Sequence, residues 1–265
     1  MRWTERQRAM LKVFGVRLFE PAGAADVAPA AEPAPVAKAP MAVARVARAA
    51  PVPAPPPIPA APPQARPLPP LRADVAELGW DALREAVAAC QACALAQSRQ
   101  QTVFGVGHPS AHWLIVGEAP GEQEDRQGEP FVGPAGQLLD NMLRAIGLTR
   151  TEGPPDKQVF IANTLKCRPP RNRNPDPAET AQCAPFLERQ IALVQPRIIL
   201  AMGRFAAQAL LASDEPLGKL RGRIHRFRGV PVVVTYHPAY LLRTLADKAR
   251  SWEDLCLAAQ VVRES

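Results

Sequence analysis

Apolar and polar residues follow two different periods along the chain, and the change between them marks a series of strands and helices. Short apolar runs bounded by turn-forming residues predict buried strands over 112–117, 158–163, 197–202 and 230–235. Apolar residues at helical spacing predict helices over 74–89, 136–146, 178–194, 204–211 and 248–263. Continuously apolar strands that alternate with helices indicate an α/β fold, with a mainly parallel sheet covered on both faces.

Polar, turn-rich segments follow three of the predicted strands. They begin at Gly117, Asn163 and His237. Ligands of parallel α/β sheets bind beyond the carboxyl ends of the strands. We therefore expect the candidate site to lie where these three segments meet.

The first 72 residues have a different composition from the rest. Residues 21–70 contain 16 of the 31 prolines and 18 alanines, too little apolar area for a packed core. We predict that 21–72 is a disordered Pro/Ala-rich linker and that 73–265 is the folded domain. Residues 1–20 mix apolar and charged positions. They predict either a short amphipathic peptide that binds a protein partner or a frayed terminus.

Charge and hydropathy limit the classes of partner. The net charge is +7, but residues 71–265 carry 23 basic and 21 acidic side chains, so a polyanion would need local basic patches. No run of about 18 apolar residues predicts a membrane span. The first residues do not resemble a secretory signal. We expect a cytoplasmic protein that does not contact membranes.

Four of the five cysteines form a candidate metal site. Cys90 and Cys93 have the C-x-x-C spacing, and Cys167 and Cys183 lie further along. Four thiolates can hold a tetrahedral zinc ion or a [4Fe–4S] cluster. The cytoplasmic expectation disfavours disulfides. Cys256 lies at helical spacing with apolar residues and is expected to be buried.

Four ordered motifs carry a family resemblance: GEAPGEQED (117–125), PFVGPAGQLLD (130–140), NTLKCRPPRNRNP (163–175) and HPAYLLR (237–243). Together with the four cysteines they resemble the family 4 uracil-DNA glycosylases, iron–sulfur members of the uracil-DNA glycosylase superfamily. The resemblance extends from Cys90 to the C-terminus. It implies a three-layer α/β/α sandwich around a four-stranded parallel sheet and a [4Fe–4S] cluster on Cys90, Cys93, Cys167 and Cys183.

The resemblance also implies a uracil-binding pocket. Asn163 matches the residue that binds the uracil edge, since an amide complements the carbonyl and N–H groups of the base. Phe131 matches the aromatic residue that stacks on the flipped base. His237 matches the pocket histidine that would stabilise charge on the leaving uracil. The loop of Gly117, Glu118 and Ala119 would contact the base and the attacking water.

The water-activating group is the point where this chain departs from better-known uracil glycosylases. Those enzymes have an Asp in the loop after the first strand, where this chain has Ala119. Glu118 is the nearest carboxylate, and we expect it to polarise water or stabilise the cationic sugar. Glu124 and Asp125 are alternatives, or ordinary surface charges.

Basic residues near the predicted pocket are candidates for contacts with uracil-containing DNA, single- or double-stranded. The first group surrounds Cys167 and comprises Lys166, Arg168, Arg171 and Arg173. A second basic run includes Arg221 and Arg223. By resemblance, Leu241 or Leu242 would enter the gap left by the flipped base, and Arg243 would contact a phosphate.

The interpretation is thus a monomeric, nucleoid-associated hydrolase of the uracil N-glycosidic bond that starts base-excision repair. Two alternatives are an iron–sulfur DNA-binding protein without hydrolytic activity and a structural zinc module of a repair complex. A related branch bonds covalently to DNA through a histidine in a basic insert, which His225 superficially matches. The pattern around His225 and the CRPP segment fit the hydrolytic family better.

Overall fold

A computed structural model describes residues 70–264 of the chain. Six strands are present in this part: β1 (Val106–Gly107), β2 (Trp113–Gly117), β3 (Phe160–Asn163), β4 (Ile198–Met202), β5 (Ile224–Phe227) and β6 (Val230–Thr235). The α-helices are α1 (Trp80–Ala89), α2 (Glu122–Gln127), α3 (Pro134–Ala145), α4 (Pro177–Val194), α5 (Arg204–Leu211), α6 (Leu217–Leu220), α7 (Pro238–Leu241) and α8 (Lys248–Glu264). Short 3-10 turns cover Val75–Glu77, Ala94–Gln97, Pro170–Asn172 and Leu245–Asp247.

The strands form one sheet in the order β1-β3-β2-β4-β6-β5. The four central strands are parallel, and β1 and β5 pair antiparallel at the two edges. The prediction of four parallel strands is confirmed for the centre, but the sheet has six strands. The edge strands escaped prediction because β1 has only two residues and β5 has two polar residues, His225 and Arg226, between Ile224 and Phe227.

Helices cover both faces of the sheet, as the α/β/α prediction requires. Alternate residues of each central strand point to opposite faces. Leu114 and Val116 pack with the apolar sides of α1, α4 and α5, whereas Trp113 and Ile115 pack with those of α3 and α8. The central strands are therefore apolar on both sides, which explains their unbroken apolar runs.

The predicted helix over 74–89 is two elements. A 3-10 turn at Val75–Glu77 precedes α1, and Gly79 is the extended N-cap residue between them, with φ −72° and ψ 177°. The helix cannot run through a residue in that conformation. The predictions for residues 1–20 and most of the linker concern residues 1–69, which lie outside the described part of the chain.

The helices can be compared with what a membrane span requires. Within residues 70–264, no helix has both the length and the apolar character that crossing a membrane requires.

Cys256 in α8 is exposed, so the expectation of a buried side chain is wrong. Its neighbour Leu255 takes the buried position on that turn of the helix.

The start of α3 depends on a close backbone approach. A Cβ atom added at Gly136 would collide with the carbonyl group of Phe131, in the loop that precedes the helix. Gly218, in α6, has nothing within 4 Å of the corresponding position.

We predict that Gly136→Ala lowers the free energy of unfolding by about 3 kcal/mol, because backbone atoms must move to admit the methyl group. Gly218→Ala is the matched control. It is expected to be neutral or slightly stabilising, since alanine favours helices. Urea unfolding of both variants measures the difference, and equal stabilities would contradict the close approach at Gly136.

Candidate active site

Two neighbouring strands end together and begin the site. Gly117 and Asn163 are paired across β2 and β3 as the last residues of those strands. Beyond them, the Thr164 N–H donates to the Gly117 carbonyl (3.0 Å) and the Leu165 N–H to the Glu118 carbonyl (3.1 Å). The two loops therefore leave the sheet side by side.

A cavity lies beyond these strand ends, and we call it the strand-end cavity. Its lining includes all three segments singled out in the sequence: Glu118, Ala119, Pro120, Gly121, Glu124, Phe131, Ala135, Asn163, Pro169, Asn172, Arg173, His237 and Ala239. The structure thus brings together Glu118, Ala119, Phe131, Asn163 and His237, as predicted.

The Asn163 side chain offers an unused acceptor to this cavity. The residue is 2% exposed. Among residues 70–264, Oδ1 of Asn163 is one of only two buried side-chain polar atoms without a hydrogen-bond partner. An unpaired buried acceptor costs about 1–3 kcal/mol. A ligand that brings an N–H donor to Oδ1 would remove this cost.

Gly117 is required by the same arrangement. A Cβ atom at this position would collide with Oδ1 of Asn163 and would lie 2.6 Å from Cζ of the Phe131 ring. The missing side chain of the glycine leaves room for the amide and the ring.

Phe131 has an unusual backbone for a bulky residue. Its φ angle is +56°, in the left-handed region that non-glycine residues seldom occupy. The ring stacks on the imidazole of His237, with centroids 5.3 Å apart and planes 27° apart. The loop thus directs an aromatic side chain to the cavity at the cost of backbone strain, a pattern common at functional sites.

His237 is held as a neutral imidazole. Burial lowers its pKa to about 4, with a further contribution from the positive charge of Arg243 and an opposing one from Glu124. The residue is the N-cap of α7, and Nδ1 accepts a hydrogen bond from the Ala239 N–H (3.2 Å). Nδ1 therefore carries no proton, so Nε2 is the N–H donor of the ring.

Glu124 organises two loops of the cavity. Its carboxylate accepts hydrogen bonds from the backbone N–H groups of Gly121 (3.1 Å), Val132 (3.0 Å) and Gly133 (3.3 Å). Asp125 is buried and accepts the Gln100 N–H at 3.0 Å. Neither residue is an ordinary surface charge: both carboxylates connect backbone segments.

Glu118 is the second carboxylate that lines the strand-end cavity. Burial raises its pKa, and the positive charge of Arg204 opposes the rise. Glu118 also lines an adjoining groove, together with Arg204, Tyr236, Tyr240 and Arg243. A carboxylate at this junction can act on a water molecule or on a positive charge that develops between the two spaces.

The four predicted cysteines surround a second, separate cavity, which we call the cysteine cavity. Cys90, Cys93, Cys167 and Cys183 all contribute to its lining. Burial raises the pKa of Cys93 and Cys167, and that of Cys183 to about 12. A metal centre that binds these thiols therefore has to displace their protons.

The donor set of the cysteine cavity, four thiols, suits an iron–sulfur cluster. No three His, Cys, Asp or Glu side chains of residues 70–264 are close enough together to hold one metal ion. Four thiols spaced around one cavity suit a larger group. The lining also includes Arg99 and Lys166 but, among the described residues, no carboxylate. Two cations match the net negative charge of a cluster held by four thiolates.

Three of the predicted DNA contacts are wrong, because the side chains are not at the surface. Lys166 is 1% exposed. Leu241 is also buried and packs in the core. Arg221 has an 11% exposed side chain that pairs with the buried carboxylate of Asp254 at 2.8 Å. Sequence position alone could not separate these inward-facing side chains from their exposed neighbours.

The other predicted DNA contacts can reach a ligand. Leu242 is 43% exposed, next to the exposed Arg243 in the groove wall. Arg168 is partly exposed, and the other predicted basic residues are exposed: Arg171, Arg173 and Arg223.

His225 lies on the edge strand β5, and its Nε2 contacts the Leu220 carbonyl at 2.7 Å. That contact holds the imidazole against its own loop.

Comparison with known proteins gives the family. A model described as the uracil DNA glycosylase superfamily matches residues 104–256, more than half of the chain. A type-4 uracil-DNA glycosylase of Sulfurisphaera tokodaii is 41% identical over 169 residues, 60% of this chain and 74% of that protein. Those of Archaeoglobus fulgidus and Pyrobaculum aerophilum are each 41% identical. They match 61% and 66% of this chain and 82% and 90% of their own lengths. The chain belongs to the type-4 branch of the uracil-DNA glycosylase superfamily.

Several site residues of this uracil-DNA glycosylase superfamily member escaped the sequence analysis. Arg204 follows β4, the one central strand whose carboxyl end was left out. The rule that ligands bind beyond strand ends would have found it. From the sequence, Glu124 is expected only as an alternative to Glu118, although its spacing from Gly121 is that of a helix capping box. Arg99, which donates to the Cys167 sulfur at 3.2 Å, has no such signal.

We predict that the His237 imidazole signal titrates near pH 4 by NMR in the native protein and near pH 6.5 in urea. Between these values only the unfolded state takes up the proton, so this histidine makes stability fall as pH drops from about 6.5 to about 4. His237→Asn should flatten stability across that window. A native titration near 6.5 would refute the neutral, buried imidazole.

Proposed function

We propose that this protein is a uracil-DNA glycosylase: it takes uracil out of the DNA stack, hydrolyses the N-glycosidic bond and leaves an abasic site for base-excision repair. The observation that carries the proposal is the unpartnered, buried Oδ1 of Asn163 in the strand-end cavity. Membership of the type-4 branch supports the same activity.

The cavity suits uracil in its hydrogen-bonding groups. Oδ1 of Asn163 accepts the N3–H of the base, and the amide nitrogen donates to a neighbouring carbonyl oxygen. Phe131 provides an aromatic surface for stacking. The backbone of Gly117 and Ala119 closes the cavity beside the base. Single-stranded and flipped double-stranded uracil present the same edge, so both are substrates in this proposal.

Two side chains act in the bond cleavage. As the bond between C1′ and N1 breaks, its electron pair leaves with uracil, and His237 donates a hydrogen bond from Nε2 to O2, where negative charge develops. A donor placed in advance is worth roughly 3–4 kcal/mol. Glu118 stabilises the cationic sugar and accepts the proton of the water that attacks C1′. Its raised pKa suits a proton acceptor.

DNA binding uses the exposed cations around the strand-end cavity and the adjoining groove. Arg173 lines the strand-end cavity and Arg243 the adjoining groove. We propose that they contact phosphates, with Arg168, Arg171 and Arg223 further out. Leu242 is the exposed apolar side chain that enters the gap left by the base.

The cysteine cavity would hold a [4Fe–4S] cluster on Cys90, Cys93, Cys167 and Cys183. Glycosidic hydrolysis transfers no electron, so the cluster's contribution is structural. The four cysteines would hold it between the end of α1, the segment after β3 and helix α4, and this would support Asn163.

The proposal also covers the oligomeric state, the location and the domain organisation of the protein. We propose a monomer that acts in the cytoplasm at the nucleoid, with residues 73–265 as the catalytic domain. Residues 21–72 would be a linker, and residues 1–20 would bind a protein partner.

The test of function is an assay on an oligonucleotide with one uracil, in which alkali cleaves the abasic product. The wild-type protein should convert the substrate completely. Asn163→Ala and His237→Ala should each lower kcat/KM about 100-fold or more, because each removes a contact to the leaving base. Asn141→Ala, which changes a half-buried asparagine on α3, is the matched control and should behave as wild type.

An absence of abasic product from cluster-loaded protein would contradict the enzyme and favour a non-catalytic DNA-binding protein. A DNA adduct that survives boiling in detergent would instead indicate the covalent chemistry considered for His225.

The cofactor is tested separately. Purified protein should be brown, absorb near ~400 nm and contain about four irons. Cys167→Ala should lose the colour and much of its stability, whereas Cys256→Ala, the exposed cysteine of α8, should keep both. A colourless protein with stoichiometric zinc would rule out the cluster.

A further inference from the structure

Lys166 is a buried cation between the two cavities. It lines the cysteine cavity, and its ammonium donates to the backbone carbonyl of Asn163 (2.7 Å) and to Oε1 of Gln190 (2.7 Å). Gln190, also buried, donates in turn to the Phe104 carbonyl at 2.8 Å. Every group in this series of hydrogen bonds is a buried side chain or a backbone carbonyl. Lys166 therefore cannot serve as a surface contact to DNA.

The charge of Lys166 needs an anion nearby. A buried ammonium is costly unless a negative group compensates it. Both acceptors of Lys166 within residues 70–264 are neutral, and no carboxylate from the described residues lines the cysteine cavity. The remaining source of negative charge is the set of cysteine sulfurs once they bind a metal centre, and the backbone N–H of Lys166 itself donates to the Cys183 sulfur at 3.3 Å.

We propose that Lys166 is a positioning residue that couples the cysteine site to the base-binding amide: the charge of the cysteine site holds the ammonium in place, and the ammonium supports the carbonyl of Asn163. The proposal rests on the proposed function. It assigns the Lys of the predicted DNA-binding group to a different task.

Arg99 provides an internal comparison. It is the other cation of the cysteine cavity, but it donates to the Cys167 sulfur and to the Ala88 carbonyl, and not to residue 163. Removing either cation should destabilise the reduced cluster and lower its reduction potential. Only the loss of Lys166 should disturb Asn163.

The experiment compares Lys166→Met, Arg99→Met and, as a control, Lys157→Met, which removes an exposed lysine. Each is studied as the cluster-loaded full chain, with cluster content, reduction potential, oligonucleotide affinity and single-turnover rate. Wild-type turnover is measured first, so that failure of the proposed function is recognised separately. We expect a lower potential in Lys166→Met and Arg99→Met. We expect a rate loss of at least ~10-fold, at unchanged DNA affinity, in Lys166→Met alone.

Equal rate losses in Lys166→Met and Arg99→Met would overturn the coupling, as would an unchanged potential or rate in Lys166→Met. If Lys166→Met does not fold, Lys166→Arg and Lys166→Gln decide the matter. The charged variant should retain more of the wild-type rate and potential than the neutral one. Equal behaviour of these two would also refute the proposal.

Discussion

The pairing of Gly117 with Asn163 at the ends of two parallel strands is the constraint on which the site depends. The register places a residue without a side chain opposite one with an amide. The space that glycine leaves is taken by Oδ1 of Asn163 and the ring of Phe131. Any side chain at residue 117 would separate these two groups, and a shift of β3 by one residue would turn the amide to the opposite face. In the proposed function, base recognition would therefore depend on sheet geometry, which is more rigid than a loop alone.

Strain and unpaired groups concentrate around this pair. Phe131 adopts a left-handed backbone, Asn163 keeps a buried oxygen without a partner, and His237 is neutral at a pH where histidine is ordinarily partly charged. Each feature costs stability in the absence of a ligand, and neighbouring side chains hold two of the three segments in place. Glu124 holds the Phe131 loop through the backbone N–H groups of Val132 and Gly133, and Lys166 donates to the Asn163 carbonyl. The ligand completes a site that the protein alone leaves incomplete.

The sequence predicts much of this architecture, because long apolar strands and ordered motifs leave few alternatives. The four central strands, the two helical layers and the meeting of Asn163, Phe131 and His237 follow from it. Side-chain direction does not. Lys166, Arg221 and Leu241 lie in motifs whose neighbours are exposed, and only tertiary packing turns them inward. The edge strands are too short or too polar for a periodic signal, and Gly79 divides a helix that apolar spacing alone would continue.

The most direct test of the account is a crystal structure of the cluster-loaded protein with uracil and abasic-site DNA. We expect uracil N3 within about 3 Å of Oδ1 of Asn163, uracil O2 at a similar distance from Nε2 of His237, and the base stacked on Phe131. Uracil bound elsewhere, or an Asn163 amide turned away to a protein partner, would contradict it.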